Sequence, residues 1–424
     1  MSHSEMNGSR SRYLNAMKVK ELKVNRRWFL QTAGVAGAAV LLAACGGQAA
    51  STASGSPAAK GSSSAAAKAS GSPAAKAATG SAAPKASSQP DVPDALAALK
   101  DLPQAEREKR LLEEAKKEGK VTAYVTGSQD SWEAWKQAYE KKYGVSFDFL
   151  RSGSDELLDK TLTEFRAKKL VPDIVENGKM FILVDEGVVV PYTSPAKEAM
   201  PKKFIDRYMA QYDINPIVIS YNTNMVKAED APKTWEDLLD PKWKGGKIAL
   251  DLIPDITMIG LYREWGEDKG RDFMKKLLAQ ELVPTRSHTT ATDQMAAGEF
   301  PIVAETYGYY AVAQKKKGAP IGYNLPDPMP TTAGGLAITS TTKKPHAAAL
   351  LYDWMMSSEA GTIYAKFGRM PVQPGTQLQY PDLQKPILDS PNLKGLNVDD
   401  YRKWFPVVQK DIKDIVQPAM GGGH

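Results

Sequence analysis

Val121-Thr122-Ala123-Tyr124-Val125 is a short, β-branched run that ends at Gly127-Ser128. A helical pattern follows it: Trp132, Trp135, Ala138, Tyr139 and Tyr143 fall on a 3–4 spacing, and Gly144 stops the pattern. Val145-Ser146-Phe147-Asp148-Phe149-Leu150 reads as the next strand. Ser154 reads as the cap of a helix over 155–168, with Leu157, Leu158, Leu162 and Phe165 as its apolar face. Pro172-Asp173-Ile174-Val175 is a third strand. Strand, helix, strand, helix, strand in that order predicts an α/β fold, with a mostly parallel sheet covered by helices.

A second unit of the same kind begins downstream. Pro216-Ile217-Val218-Ile219-Ser220-Tyr221 is a strand, and Thr234 and Asp237 have the spacing of a capping box ahead of Leu238-Leu239. Lys247-Ile248-Ala249-Leu250 and Phe300-Pro301-Ile302-Val303-Ala304 are strands. Helical patterns cover 256–266 and 268–280, and another ends at Gly298. Tyr309 to Lys317 is helical, Gly335-Leu336-Ala337-Ile338-Thr339 is a strand, and helices cover 345–357 and 358–367. The folded part, 93–424, is too long for one small core and suits two lobes.

The 424 residues carry a net charge of +6, but the charge is unevenly placed. Residues 1–90 hold 11 Lys and Arg against 2 Asp and Glu; the remainder holds 44 against 47. The folded part is mildly acidic, which argues against nucleic acid as a partner. The single cysteine leaves no disulfide and no thiolate metal site.

That cysteine closes Leu42-Ala43-Ala44-Cys45, at the end of a short apolar segment from Ala33. The segment is about 12 residues, whereas a membrane-spanning helix needs about 20. Lys18, Lys20, Lys23, Arg26 and Arg27 precede it, as in a charged export signal. Residues 1–44 look like a twin-arginine signal (Arg26, Arg27) ending in a lipobox, which makes Cys45 the lipidated first residue of the mature chain. Asn25 stands where Ser or Thr is usual before the arginines, so a Sec-type signal is the rival reading. Residues 45–92 then form a tether. From Gly46 to Pro90 only Ala, Ser, Gly, Pro, Gln, Thr and four lysines occur, and nothing there offsets the entropy of ordering. Gly55-Ser56-Pro57-Ala58-Ala59-Lys60 recurs at 71–76.

Ser220-Tyr221-Asn222-Thr223-Asn224-Met225-Val226 and Ala231-Pro232-Lys233-Thr234-Trp235-Glu236-Asp237-Leu238-Leu239-Asp240-Pro241-Lys242-Trp243-Lys244-Gly245 resemble the extracellular solute-binding proteins of ABC importers, family 1, with its ferric-iron and phosphonate branch. Glu114 to Lys120, Ala297 to Pro301 and Lys317 to Pro320 are similar to the same group, and the resemblance covers 105–415. It implies a type II periplasmic-binding-protein fold: two α/β lobes joined by two crossing strands, with the ligand in the cleft between them. The crossings are expected near Ile217–Asn222 and Gly335–Thr339. Lobe one is then 93–217 with 335–367, and lobe two is 222–334 with 368–424.

Ligands of open α/β sheets sit beyond the carboxyl ends of the strands. Those ends carry the candidates Ser128, Gln129, Ser152, Ser154 and Glu176 in lobe one, and Asp251, Ser287, His288, Tyr307, Tyr309 and Tyr310 in lobe two. A serine at a helix start either holds an anionic group or simply caps the helix. His288 is either a ligand contact or a packing residue.

In ferric-binding relatives, adjacent tyrosines at this place bind iron as phenolates, because a hard trivalent cation lowers a phenol pKa from near 10. Tyr309 and Tyr310 match by residue type. Those relatives often add a histidine after strand one, where this chain has Gln129 and Asp130. No cofactor is expected; Fe3+ stays open as a transported ligand, beside organic solutes that the tyrosines would stack on.

The expected protein is a monomeric, lipid-anchored, extracytoplasmic solute-binding protein. It takes up a small molecule or metal ion, delivers it to an ABC permease of the cytoplasmic membrane, and performs no catalysis. A ligand-sensing lipoprotein is the alternative on the same fold. A secreted hydrolase is weighed against both, yet the sequence has no Gly-x-Ser-x-Gly, His-Glu-x-x-His, P-loop or Gly-x-Gly-x-x-Gly. Ser287, His288 and Asp293 are merely near in sequence.

Overall fold

The computed structural model describes residues 92–99, 101–332 and 335–421. Arg26, Arg27, Cys45 and the tether lie outside the described residues. Among the described residues, no helix is long and apolar enough to cross a membrane.

The strands, in chain order, begin with β1 (Val121–Val125), β2 (Phe147–Arg151), β3 (Ile174–Asn177), β4 (Ile217–Asn222) and β5 (Ile248–Asp251). They continue with β6 (Val283–Thr285), β7 (Ile302–Tyr307), β8 (Ile321–Asn324), β9 (Met329–Pro330), β10 (Gly335–Ile338) and β11 (Leu393–Lys394). One sheet has the order β10-β3-β1-β2, the other β6-β5-β7-β4-β8, and β9 pairs with β11. β1 is parallel to β2 and β3, and β5 is parallel to β6 and β7. β10 joins the first sheet antiparallel to β3, and β4 joins the second antiparallel to β7 and β8.

Composition explains which strands are central. β1, β4 and β5 are apolar along most of their length and buried on both faces, as helix-covered strands must be. β2 alternates, with only Phe147 fully buried, and lies at the edge.

The aromatic stripe of the helix Gln129–Tyr143 does what its spacing predicts. Trp132, Trp135, Tyr139 and Tyr143 are buried, and Gly144 ends the helix at φ 65°, a left-handed conformation that favours glycine. Trp135 stacks on Tyr364 at 4.6 Å and donates from Nε1 to the carbonyl of Ala360 at 2.9 Å. This welds the early helix to the late one at Ser358–Ala365. A buried ion pair does the same for the helix Gln104–Glu118: Arg107 Nε meets Asp353 at 2.9 Å, inside the helix Pro345–Met355.

The two sheets are linked by two passages of chain. Ala210 bridges Leu336 of β10, and Pro216 bridges Thr331. Gly335 permits the close approach, since a Cβ there would lie 2.8 Å from the carbonyl oxygen of Ala210. Ile217–Asn222 is an interior strand of the second sheet, and Gly335–Ile338 is an edge strand of the first. The helix Val398–Asp411, opened by a full capping box at Asn397 and Asp400, packs on both the helix Asp255–Trp265 and the helix Met180–Asp185. Phe181 meets Phe405 at 5.3 Å there.

Two local readings change. Thr234 and Asp237 make their reciprocal bonds, but short 3-10 turns, Glu236–Leu239 and then Pro241–Trp243, follow in place of a helix. Pro241 lacks the N–H needed to continue it. Ser154 is the first helical residue; Gly153 occupies the cap position, and the Ser154 hydroxyl donates to Asn177 Oδ1 at 3.1 Å instead.

Candidate functional site

Both sheets turn the carboxyl ends of their parallel strands towards the linking passages. In the first sheet those ends are Val125 to Ser128, Arg151 to Ser154, and Glu176-Asn177. In the second they are Asp251, Thr285 and Tyr307, beside the start of β4, where Ile217 pairs with Tyr307. Most of the sequence candidates therefore lie on two facing edges, Gln129 and Tyr310 excepted.

The first edge is already well bonded. Glu176 accepts from the Thr126 hydroxyl at 2.6 Å and from the Thr126 N–H at 3.0 Å, so it ties down the turn after β1. Burial raises its carboxyl above the ordinary range against those bonds. Ser128 caps the helix Gln129–Tyr143 through the Ser131 N–H, and Gln129 reaches only Glu133, on the exposed side. Ser152 bonds Glu156. Asn177 donates to the Ser154 carbonyl at 2.8 Å, and Lys179 pairs with Asp155 at 2.5 Å.

The second edge is acidic. Asp251 ends β5, Asp255 opens the helix Asp255–Trp265, and Glu305 lies within β7, 1% exposed. Glu305 Oε2 accepts from the Thr257 hydroxyl at 2.5 Å, while Oε1 is buried without a hydrogen-bond partner. Burial is the main reason that the Glu305 carboxyl stands well above the ordinary range, with Asp251 and Asp255 adding to it. Burial likewise pushes Asp255 up to about 6, opposed by Lys179 from the first edge.

His288 opens the helix His288–Ala297, which Ser287 caps through the Thr290 N–H. Its ring lies between two carboxylates, Nδ1 at 3.8 Å from Asp251 and Nε2 at 3.7 Å from Glu305. Neither distance is a hydrogen bond. Burial lowers its pKa, against the pull of Asp251. The ring stacks on Tyr307 at 4.4 Å, and Tyr307 stacks on Tyr309 at 5.8 Å.

Beyond Tyr309 lies Arg369, its guanidinium 4.1 Å from the ring centroid. Arg369 also donates to Asp213 at 2.9 Å and Asn215 at 3.2 Å, both on the first linking passage. Tyr310 points elsewhere. Its hydroxyl reaches Asp293 at 2.8 Å, and burial together with that carboxylate pushes the phenol up to about 12. Among the described residues, no three His, Cys, Asp or Glu side chains are gathered to hold a metal ion.

A cavity of about 390 Å3 opens beside this edge, lined by Leu252, Thr285, Arg286, Ser287, Thr290 and Met420 among others. It borders the cap of the His288 helix, but Glu305 and Tyr307 do not line it.

Sequence reasoning missed Glu305 and Arg369, while Asn177 was read only as following strand three beside Glu176. Glu305 had a signal, a lone carboxylate in an apolar strand that runs past Ala304 to Tyr307. Arg369 had none, because only the tertiary fold brings it to Tyr309.

Known proteins resemble the chain in three ways. The model of the family described as bacterial extracellular solute-binding protein matches residues 171–403, more than half the chain. The model of the twin-arginine translocation signal matches residues 23–43. An uncharacterised protein of Haemophilus influenzae is 26% identical over 316 residues, covering 70% of this chain and 89% of the relative. A probable ABC transporter periplasmic-binding protein of Sinorhizobium fredii, y4fP, is 25% identical over 57% of this chain and 71% of its own. Among solved structures, iron-bound HitA from Pseudomonas aeruginosa superposes with a TM-score of 0.60 at 18% identity, over 69% of this chain and 99% of the other. That likeness carries the fold: two α/β lobes of the type II periplasmic-binding-protein class.

Proposed function

The chain belongs to the bacterial extracellular solute-binding proteins and is exported from the cytoplasm, and on that premise we propose that it captures a small solute between its two facing sheet edges and delivers it to an ABC permease. One observation carries this reading: both sheets direct the carboxyl ends of their parallel strands to the same place, beside the two passages that link them. The solute is held by both edges, so it stabilises the closed arrangement over the open one, and the permease reads that difference. The reading needs no bond to be made or broken.

The lobes are 93–217 with 335–367 and 222–334 with 368–424. We assign the linking passages to 211–216 and 331–335, next to the crossing strands read from sequence, because the bridges Ala210–Leu336 and Pro216–Thr331 bound them. Cys45 is the lipid attachment point, and residues 46–92 let the domain reach a permease in the same membrane as a monomer. Metabolic labelling with a fatty-acid probe, abolished by Cys45→Ser, tests the anchor.

Iron as the cargo has no specific support in the site. Tyr310 is engaged with Asp293 and Tyr309 with Arg369, and the iron-bound relative is too distant to lend its ligand. Small-angle scattering tests the solute-binding reading directly. The protein should contract when its solute is added, and a saturated protein of unchanged radius would overturn the reading.

A further inference from the structure

Resting on the solute-binding reading and its two lobes, we infer that the helix Val398–Asp411 is a lever of lobe two. Its contact with the helix Met180–Asp185 of lobe one sets how far the lobes stand apart before a solute is bound.

The lever is fixed to lobe two by buried polar bonds. Asp411, 3% exposed, accepts from the Tyr262 hydroxyl at 2.9 Å and from Arg271 Nε at 2.9 Å. Arg263 donates to Asp400 at 3.0 Å, and Trp404 meets Tyr262 edge-on at 6.2 Å. Tyr262 and Arg263 lie on the helix Asp255–Trp265, and Arg271 on the helix Glu267–Leu278. Parting the lever from these helices strands a buried carboxylate, which is costly.

The hold on lobe one is of a different kind. Arg402 pairs with Asp185 at 2.7 Å, but the two side chains are 38% and 44% exposed, and Arg402 is shared with Asp399 of its own helix. An exposed pair of this sort is weak. The rest is ring contact. Phe181 lies 6.2 Å from Tyr401 and 5.3 Å from Phe405, and Lys179 Nζ lies 5.7 Å from the Phe405 centroid. Apolar contact is not directional, so the two helices can slide on this side while the lobe-two side stays locked. Phe181 is buried, so drawing the helices fully apart uncovers apolar surface and is opposed.

The lever starts beside the first linking passage, where Gln211 Nε2 donates to the Leu396 carbonyl at 3.0 Å. Phe405 lies about 12 Å along the axis from the cap Asn397, at about 1.5 Å per residue. A small rotation at the passage therefore becomes a displacement at the Phe405–Phe181 contact. That contact borders the cleft: burial pushes the Asp255 carboxyl of the second edge up, and the charge of Lys179, from the first edge, opposes it.

Pulsed electron paramagnetic resonance on the full chain tests the inference. Cys45→Ser removes the native thiol, and spin labels go on Lys141→Cys in lobe one and Lys275→Cys in lobe two, both exposed positions. Phe405→Ala with Arg402→Gln should broaden the distance distribution or move its mean by about 2 Å or more. Phe405→Leu, which keeps an apolar cover on Phe181, should stay close to the parent. Asp185→Lys sets like charges opposite Arg402 and should act as Phe405→Ala does; it is the second variant should Phe405→Ala fail to fold. Distributions unchanged in both variants overturn the inference. Cargo carried from native cells separates the inference from the reading it rests on. If the parent distribution changes when that cargo is removed by unfolding and refolding, while the variants match the parent, the inference falls alone. If the variants shift but removing the cargo changes nothing, the contact is upheld and solute-driven closure falls.

Discussion

Arg369 lies over the ring of Tyr309 at 4.1 Å while its guanidinium is bonded to Asp213 on the linking passage. A residue of the second edge is thus connected through one cation to the first linking passage, the segment that would flex under the proposed closure. Asp213 is 8% exposed by its side chain and takes a second bond from the Tyr364 hydroxyl at 3.1 Å. Arg369 Nε and Asp213 Oδ1 are buried without partners.

Removing Arg369 leaves a buried carboxylate unpaired. Arg369→Ala should cost about 3–5 kcal/mol of unfolding free energy, measured by urea denaturation. Asp213→Asn with Arg369→Met should recover part of that loss. Additive losses in the double variant would show that the pair is not the source.

Acidity acts on the site in a defined direction. Asp255 holds its proton up to about 6 in the folded chain, above its ordinary 3.8. The folded state therefore binds more protons than the unfolded state between those values, and stability falls as pH rises through that window. Asp255→Asn should flatten the fall between pH 4 and 6 in thermal melts; an unchanged slope would assign it to other groups.

His346 gives a second pH window of its own. Its Nδ1 lies 2.6 Å from Glu118, and that hydrogen bond raises the imidazole above 6.5. The stability it contributes is full below 6.5 and is lost as pH rises through the folded value. His346→Gln should remove that part of the pH dependence and leave the acid window of Asp255 in place, as melts from pH 4 to 9 will report.

Packing makes a sharp demand at Gly260, in the helix Asp255–Trp265. A Cβ there would lie 2.4 Å from Pro330 Cβ in β9. Gly260→Ala should destabilise the protein by about 1–3 kcal/mol despite the better helix propensity of alanine. A gain in melting temperature would mean that β9 yields to the helix.

Trp135→Phe should cost about 2–3 kcal/mol, because it leaves the buried Ala360 carbonyl without its donor and shrinks a stacked contact. Denaturant unfolding followed by far-ultraviolet circular dichroism measures it.

Much of the fold is legible along the chain because its signals are local. The 3–4 spacing of Trp132, Trp135, Tyr139 and Tyr143 needs no partner to be recognised, and Gly144 and Gly298 mark helix ends by their left-handed conformation. Asp251, His288 and Tyr307 were reachable as candidates because strand ends can be placed from the same periodicity. The role of Glu176 was not reachable, since its binding to Thr126 depends on β3 lying beside β1.

By itself, the sequence determined the export signal, the split of charge between residues 1–90 and the rest of the chain, the α/β alternation and the residue types at the strand ends. Each of these is a property of neighbours in the chain. Only the tertiary structure decided that β10 and β4 run antiparallel in their sheets, that Tyr310 turns to Asp293, and that Arg369 joins Tyr309 to Asp213. It also placed Glu305 in a dry interior with an oxygen left unpaired. The reason is physical: partners, burial and field depend on which distant segments pack together, and no local pattern encodes the environment that a side chain meets once water is gone.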